Sequence, residues 1–189
     1  DLSYLPKVLT PLFYTLQMSV CGTILGSVLG LLTAPFGAVS LQFPTALRRL
    51  IRLVIQVLRS FPALVLALLA TFLFGLGTFA GTFAITLYTF AIMTKLTYED
   101  ADAACTAAYR SLRSMGCASF PAFIHAVLPE ILPSYLTNSL YLLETNVRQS
   151  SILGYVGAGG IGLILNEKIS WREFHKVGAI LLLLFLAVC

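Results

Sequence analysis

Charge is what this sequence has least of. Its 189 residues carry 12 Lys and Arg, 8 Asp and Glu and 2 His, so 11% are charged, against about 25% in soluble domains. The scarcity is concentrated. No Asp, Glu, Lys, Arg or His occurs from Val8 to Leu47, and none from Ser60 to Thr94. About 20 apolar residues carry a helix across the hydrocarbon core, so each run has room for a crossing. A soluble protein would need amphipathic segments to cover such runs, and few are present. The sequence reads as an all-α integral membrane protein with the bilayer as its solvent. Neither run has the form of a signal peptide, because the chain stays hydrophobic to its end. Asp1 is not an initiator, and the last apolar run, Val177–Cys189, would rise only about 20 Å as a helix. Flanking sequence is therefore expected to be missing.

Other absences narrow the chemistry. Cys21, Cys105, Cys117 and Cys189 form no C-x-x-C pair and have no histidine at metal spacing, so they read as small apolar residues and no metal is expected. His125 and His175 are the only histidines, and neither has an acid or nucleophile at recognisable spacing. With no H-E-x-x-H or G-x-S-x-G either, no catalytic residue is named and the chain does not read as an enzyme. There is no G-x-x-x-x-G-K-[ST], so the chain cannot cradle ATP phosphates itself. No basic stripe is interleaved with aromatics, and no nucleic-acid partner is expected.

What is present is a sequence of apolar segments with polar punctuation. A first crossing is expected over about Pro11–Ala34, ended by Pro35-Phe36-Gly37. In "FPTALRRLIRLVIQVLRSFP" the residues Arg48, Arg52 and Arg59 share one helical stripe with Arg49 and Gln56 beside it. One helix is expected there, continuing into the apolar run beyond Pro62. "FGLGTFAG" reads as a glycine turn before a helix over Thr82–Thr94, closed by Lys95. The polar stretch at about 96–130 reads as a loop. A further helix is expected from Pro133 to about Arg148, then an amphipathic "NEKISWREFHK" with Trp171 at a membrane–water interface, and a last helix near Lys176. That makes about five crossings, the fifth incomplete. Arg48, Arg49, Arg52, Arg59, Lys95, Arg110 and Arg113 fall on one side and Lys7, Lys168, Arg172 and Lys176 on the other. The positive-inside rule makes the first side cytoplasmic.

The glycines of "YVGAGGIG" satisfy G-x-G-x-x-G at Gly157, Gly159 and Gly162, with Gly160 between. A dinucleotide site needs a strand before them and an acidic residue about 20 residues on; that position falls in a leucine run. The segment at about 154–163 instead fits either close helix packing or a bend lining a transport pathway. Just before it, Glu144 and Arg148 are four residues apart on an apolar helix, with Tyr141 close by. They read as a mutually neutralising ion pair, or as an arginine that, with Asn146, Ser150 and Ser151, offers donors to an anion. Both can hold, because a paired guanidinium keeps free N–H groups.

Several of these residues resemble the permease subunits of bacterial ABC importers. "MGCASFPAFIHAVLPEILPSYL" is similar to their cytoplasmic loop: Gly116 fits its glycine and Leu128-Pro129 its Leu-Pro at the same spacing. "LETNVRQSSILGYVGAGGIG" and "RSFPALVLAL" resemble the phosphonate-type permeases, over roughly Arg48–Val188. The resemblance implies a single transmembrane permease domain over 1–189, of the type I, methionine-permease-like fold. Two copies would form the pore in a bacterial cytoplasmic membrane. Each would dock a P-loop ATPase subunit, which holds the ATP and Mg, and an extracytoplasmic binding protein would deliver the solute. The coupling helix would lie around Ser111–Phe120, bent at Gly116, with Arg110, Leu112, Cys117 and Ser119 in the docking surface. The family's loop glutamate is replaced by Arg110, with Ser111 and Leu112 at its two alanines; Glu99 and Asp102 are candidates to supply the missing negative charge.

The expected solute is a small phosphorus oxyanion: phosphonate, phosphite or phosphate. A methionine-type or other small-solute importer is the near alternative, and a passive channel or ion-coupled carrier the distant one.

Overall fold

The computed structural model describes residues 5–41, 43–104, 107–157 and 159–188, and side chains between 8 and 185. Asp1, Cys105, Ala158, Cys189 and the Lys7 side chain lie outside the described residues. The order is α1 (Leu5–Gly37), α2 (Thr45–Ser60), α3 (Ala63–Phe74), α4 (Thr78–Ala103), α5 (Ala107–Ser114), α6 (Ser119–Ala122), a π-helical stretch (Phe123–Val127), α7 (Leu128–Leu153), a 3-10 turn (Gly154–Val156), α8 (Ile161–Ser170) and α9 (Phe174–Val188). Among the described residues there is no strand.

Two helices are long and apolar enough to cross a membrane, Val8–Gly37 and Thr78–Ala103, and a third crossing arises if α2 and α3 form one broken span. About five crossings were expected; the other two segments form helices, α7 and the short apolar α9, but among the described residues neither is long and apolar enough to count as a span.

Three expectations change. The helix expected to run through Pro62 is broken at Phe61–Pro62, where Pro62 is extended (φ −59°, ψ 150°). Proline clashes with an α conformation at the preceding residue, and here that effect overrides the apolar continuity. Second, α4 does not end at Lys95. Lys95 pairs with Glu99 one turn on, at 3.3 Å, so the charges fit a helix that continues to Ala103. Third, α7 begins at Leu128 with Pro133 inside it. Pro129 lacks the N–H that would reach the His125 carbonyl, and the backbone ahead of it widens to π geometry, with the Leu128 N–H on the Phe123 carbonyl.

The residues divide into two units: 1–24, 61–87 and 142–189 form the first, 25–60 and 88–141 the second. In the second, Ala34, Leu41, Tyr98, Ala101, Tyr109, Phe123, Val127 and Ile131 form a buried core. Arg52 organises one side of it. Its Nε donates to the Gly37 carbonyl at the end of α1 (2.8 Å), satisfying one of the helix's orphan acceptors. Its Nη2 meets Asp102 Oδ2 (3.1 Å) and its guanidinium lies 4.7 Å from the Tyr98 ring centroid. Asp102 Oδ1 accepts from the Ser40 backbone N–H (2.9 Å), and the Tyr109 hydroxyl donates to the Leu41 carbonyl (3.0 Å).

In the first unit, Val8, Ile161, Leu165, Val177 and Ile180 form the apolar core. Beside it runs a polar seam. Thr15, Ser19 and Thr23, one turn apart on α1, are buried, as are Asn146 and Ser150 on α7. Asn146 Nδ2 donates to Thr23 Oγ1 (2.8 Å), and Ser19 Oγ sits between the Thr15 carbonyl (2.8 Å) and Ser150 Oγ (2.9 Å). Thr15 Oγ1 accepts from the Ile161 N–H that opens α8 (2.8 Å).

Between α8 and α9, Arg172 takes a left-handed backbone (φ 55°). Glu173 bridges Lys168 (3.3 Å) and Lys176 (2.8 Å). The Lys176 hydrogen bond is the largest influence on the Glu173 carboxyl and holds it below its ordinary pKa; partial desolvation opposes this, and Lys168 adds to the lowering. The clamp therefore contributes above the ordinary carboxylate pKa and is lost as pH falls through the lowered value.

Three substitutions test this packing. Gly162→Ala puts a Cβ 2.8 Å from Gly154 Cα, whereas nothing lies within 4 Å of a Cβ at Gly178. In thermal unfolding of the purified chain, Gly162→Ala should destabilise by about 1–3 kcal/mol and Gly178→Ala should not destabilise. Asn146→Ala should destabilise by about 1 kcal/mol through loss of the seam; an unchanged midpoint would show that the seam carries no stability.

Candidate translocation segment and coupling loop

The second half of α7 has two chemically distinct faces. Asn146 and Ser150 point into the seam with α1 and are fully buried, and Ser151 is buried beside them. Sequence reasoning placed these three with Arg148 as donors to a passing anion. The structure turns Asn146 and Ser150 toward the α1 hydroxyls and α7 carbonyls, while Ser151 bonds the Val147 carbonyl and borders the same depression as Arg148. In this conformation Asn146 and Ser150 fix the helix.

Glu144 and Arg148 occupy the other face. Arg148 Nη2 donates to Glu144 Oε1 at 2.8 Å, with the side chains 61% and 55% exposed. The pair spends one of the five guanidinium N–H groups. Arg148, Ser151 and Ile152 on α7 and Leu184 and Phe185 on α9 border a depression of about 260 Å³. Tyr141, which belongs to the other unit, is exposed.

Immediately after α7 the glycines make a turn and a close helix contact. Gly157, Gly159 and Gly160 all have positive φ (81°, 80° and 74°), a conformation that glycine adopts without penalty. The chain therefore turns sharply between α7 and α8. The Gly157 carbonyl accepts from the Gly77 N–H (3.0 Å), so this turn is pinned to the loop before α4. At the same time α8 packs back onto the end of α7. A Cβ at Gly154 would lie 2.5 Å from Gly162 Cα, an approach only glycine permits.

The polar loop belongs to the second unit. α5 ends in a complete Schellman motif: the Gly116 N–H bonds the Arg113 carbonyl and the Cys117 N–H the Leu112 carbonyl, each at 3.1 Å, with Gly116 at φ 88°. Leu112, Cys117 and Leu128 pack partly buried on the core, while Arg110, Ser111 and Pro129 are exposed. Ser119 is half-buried. Met115 is 74% exposed, with Phe120 and Ile124 also presented outward. Asp102 does not serve as a free negative charge for this loop, since Arg52 and the Ser40 N–H hold it; Glu99 is paired with Lys95.

Sequence reasoning missed the partners on α1. The signal was there in Thr15, Ser19 and Thr23, three hydroxyls at four-residue spacing within a run otherwise free of charge. Free Cys21 is exposed and free Cys117 half-buried, and the described residues hold no group of His, Cys, Asp and Glu that could bind a metal.

Comparison with known proteins places this geometry. The sequence profile described as "binding-protein-dependent transport system inner membrane component" matches residues 22–189. The phosphate-import permease protein PhnE of Mycolicibacterium smegmatis is 34% identical over 92% of this chain, which spans 33% of that protein's length. The phosphite transport system permease protein PtxC of Stutzerimonas stutzeri is 30% identical over 100% of this chain and 68% of its own. In three dimensions the chain matches one from an inward-facing methionine ABC transporter, MetNI, with a TM-score of 0.85 at 21% identity, covering 100% of this chain and 92% of the other. That likeness shows the fold of a type I importer membrane domain. The profile match and the PtxC match together show the family: the chain belongs to the inner membrane components of binding-protein-dependent transport systems.

Proposed function

We propose that this chain is a pore-forming subunit of an ATP-driven importer that passes a small phosphorus oxyanion into the cytoplasm. The observation that carries the substrate class is Arg148. It is an intrahelical-paired guanidinium with donors to spare, on the exposed face of a helix whose other face is fixed by the seam. Guanidinium geometry matches phosphoryl oxygens, and its charge persists at every working pH. The names of the relatives, phosphate-import and phosphite transport permeases, support the same class. Glu144 has two roles in this reading. It offsets the cost of placing a cation at membrane depth, and it keeps the arginine from holding an anion too tightly to release. The glycine turn after α7 supplies non-helical backbone, which a bilayer admits only within protein or beside a watery path.

The energy source is a separate P-loop ATPase subunit that holds ATP and Mg. The loop around Gly116 is its docking surface: the Schellman turn fixes where α5 stops, and exposed Met115 and Phe120 offer apolar anchors. Arg110 and Ser111 lie exposed on α5, so the ATPase surface meeting them carries acid or neutral groups. An extracytoplasmic binding protein delivers the solute, and a second permease copy completes the pore in a multi-pass, bacterial cytoplasmic-membrane assembly.

The test is reconstitution in liposomes with the ATPase and the binding protein. ATP hydrolysis is compared with the binding protein empty or loaded with methylphosphonate, phosphite, phosphate or methionine. Stimulation by a phosphorus oxyanion alone is expected; stimulation by methionine would overturn the substrate class. Arg148→Gln should lower oxyanion uptake about ten- to a hundred-fold, the value of a charge-assisted hydrogen bond, with unaltered thermal stability. Unchanged uptake would remove Arg148 from the pathway. Gly116→Ala forces a side chain into a left-handed backbone at about 1–2 kcal/mol. It should reduce stimulated ATP hydrolysis more than Gly116→Asn, which tolerates that conformation.

A further inference from the structure

The second unit carries another cluster of cations, which the transport reading does not use. Arg52, Gln56 and Arg59 lie on one face of α2, and with Ile55 and with Lys95 and Tyr98 of α4 they line a cleft of about 360 Å³. That is within the size of small-ligand pockets, about 300–1,000 Å³. Two of its cations have carboxylate partners, Arg52 with Asp102 and Lys95 with Glu99. Arg59 is exposed and has no carboxylate within ion-pair distance among the described residues. Three cations against two anions leave the cleft with one positive charge in excess.

The cleft is also partly built in advance. Arg52 is held by Asp102, by the Gly37 carbonyl and by the Tyr98 ring, so its guanidinium needs no ordering to meet a ligand. Gln56 adds an amide donor, and Arg59 and Lys95 are long enough to close on a small anion. The position of Arg59 in the last turn of α2 suits the helix C-terminus, but that does not account for a lysine from α4 lining the same space. The opposite face of α2 exposes Leu47, Leu50, Leu53, Val54 and Val57. A helix cationic on one side and apolar on the other belongs at a membrane–water interface. Basic pockets between helices on the cytoplasmic side, where the positive-inside count puts these arginines, suit anionic head groups.

We propose that this cleft binds a phosphate group, with Arg59 and Lys95 as its principal ligands, Gln56 as a neutral donor and Arg52 as the fixed wall. Two sources share that chemistry: the head group of an anionic phospholipid, whose acyl chains would run along the apolar face of α2, and free inorganic phosphate.

The permease–ATPase complex in nanodiscs distinguishes them. Discs of phosphatidylcholine alone are compared with discs containing phosphatidylglycerol, each with and without inorganic phosphate. Retained lipid is read by native mass spectrometry and stability by the thermal midpoint. For the lipid source, phosphatidylglycerol is retained preferentially, and Arg59→Gln and Lys95→Gln each weaken retention about five-fold. Arg59→Lys preserves it, and Arg49→Gln, an equal charge change outside the cleft, has no effect. For the free-phosphate source, inorganic phosphate raises the midpoint in phosphatidylcholine discs, and the same two variants abolish the rise. If Arg59→Gln does not yield a folded complex, Lys95→Gln carries the same comparison. The proposal is overturned if neither phosphatidylglycerol nor phosphate separates the cleft variants from wild type, or if Arg49→Gln weakens binding as much as they do.

Discussion

Hydrocarbon accepts no hydrogen bonds, and the rest of the first unit depends on how α7 answers that constraint. Asn146 and Ser150 are fully buried, where an unsatisfied amide or hydroxyl is expensive. The α1 hydroxyls meet them there: Asn146 Nδ2 donates to Thr23 Oγ1 and Ser19 Oγ donates to Ser150 Oγ. The seam fixes the rotation of α7 about its own axis, and the rotation decides which residues face outward. Once Asn146 points at α1, Arg148 and Glu144 must point away, since two residues along a helix is about 200° of turn. Thr15 extends the arrangement by accepting the first N–H of α8, so the α1 stripe also sets where the chain resumes after its glycine turn.

A second clamp organises the second unit in a different currency of interactions. Arg52 gathers a helix C-terminus, a carboxylate and an aromatic ring, and Asp102 passes the constraint to the backbone at Ser40. An amphipathic helix is thereby tied to the end of α1 and to α4. The loop that follows α4 is arranged around a glycine whose positive φ stops α5 and turns the chain. Met115, Phe120 and Ile124 are exposed on it, and the acids Glu99 and Asp102 on α4 just before it are paired.

Much of this was legible in the sequence because it follows from what membranes forbid. Charge-free runs located α1, α3 and α4, and the spacing of Glu144 and Arg148 foretold their pairing. At the "GAGGIG" glycines the structure shows a bend, with positive φ at Gly157, and close packing of Gly154 against Gly162. What the sequence did not show were partners distant along the chain. Asn146 and Ser150 were grouped with Arg148 by proximity along the chain, whereas helical phase sends them to α1. Asp102 read as a candidate to supply negative charge to the loop because its partner Arg52 is fifty residues away. The break at Pro62 was a local signal outweighed by apolar continuity, and the structure shows that the local signal wins there.

The central claim is that α7 presents Arg148 to an aqueous path and Asn146 to α1. Cysteine accessibility tests it most directly. In a cysteine-free background, Arg148→Cys and Asn146→Cys are expressed separately in membrane vesicles with the ATPase and treated with a membrane-impermeant maleimide. The account predicts rapid labelling at 148, slowed when loaded binding protein and ATP drive transport of the oxyanion, and no labelling at 146. Equal labelling at both positions, or labelling at 146 alone, would contradict it.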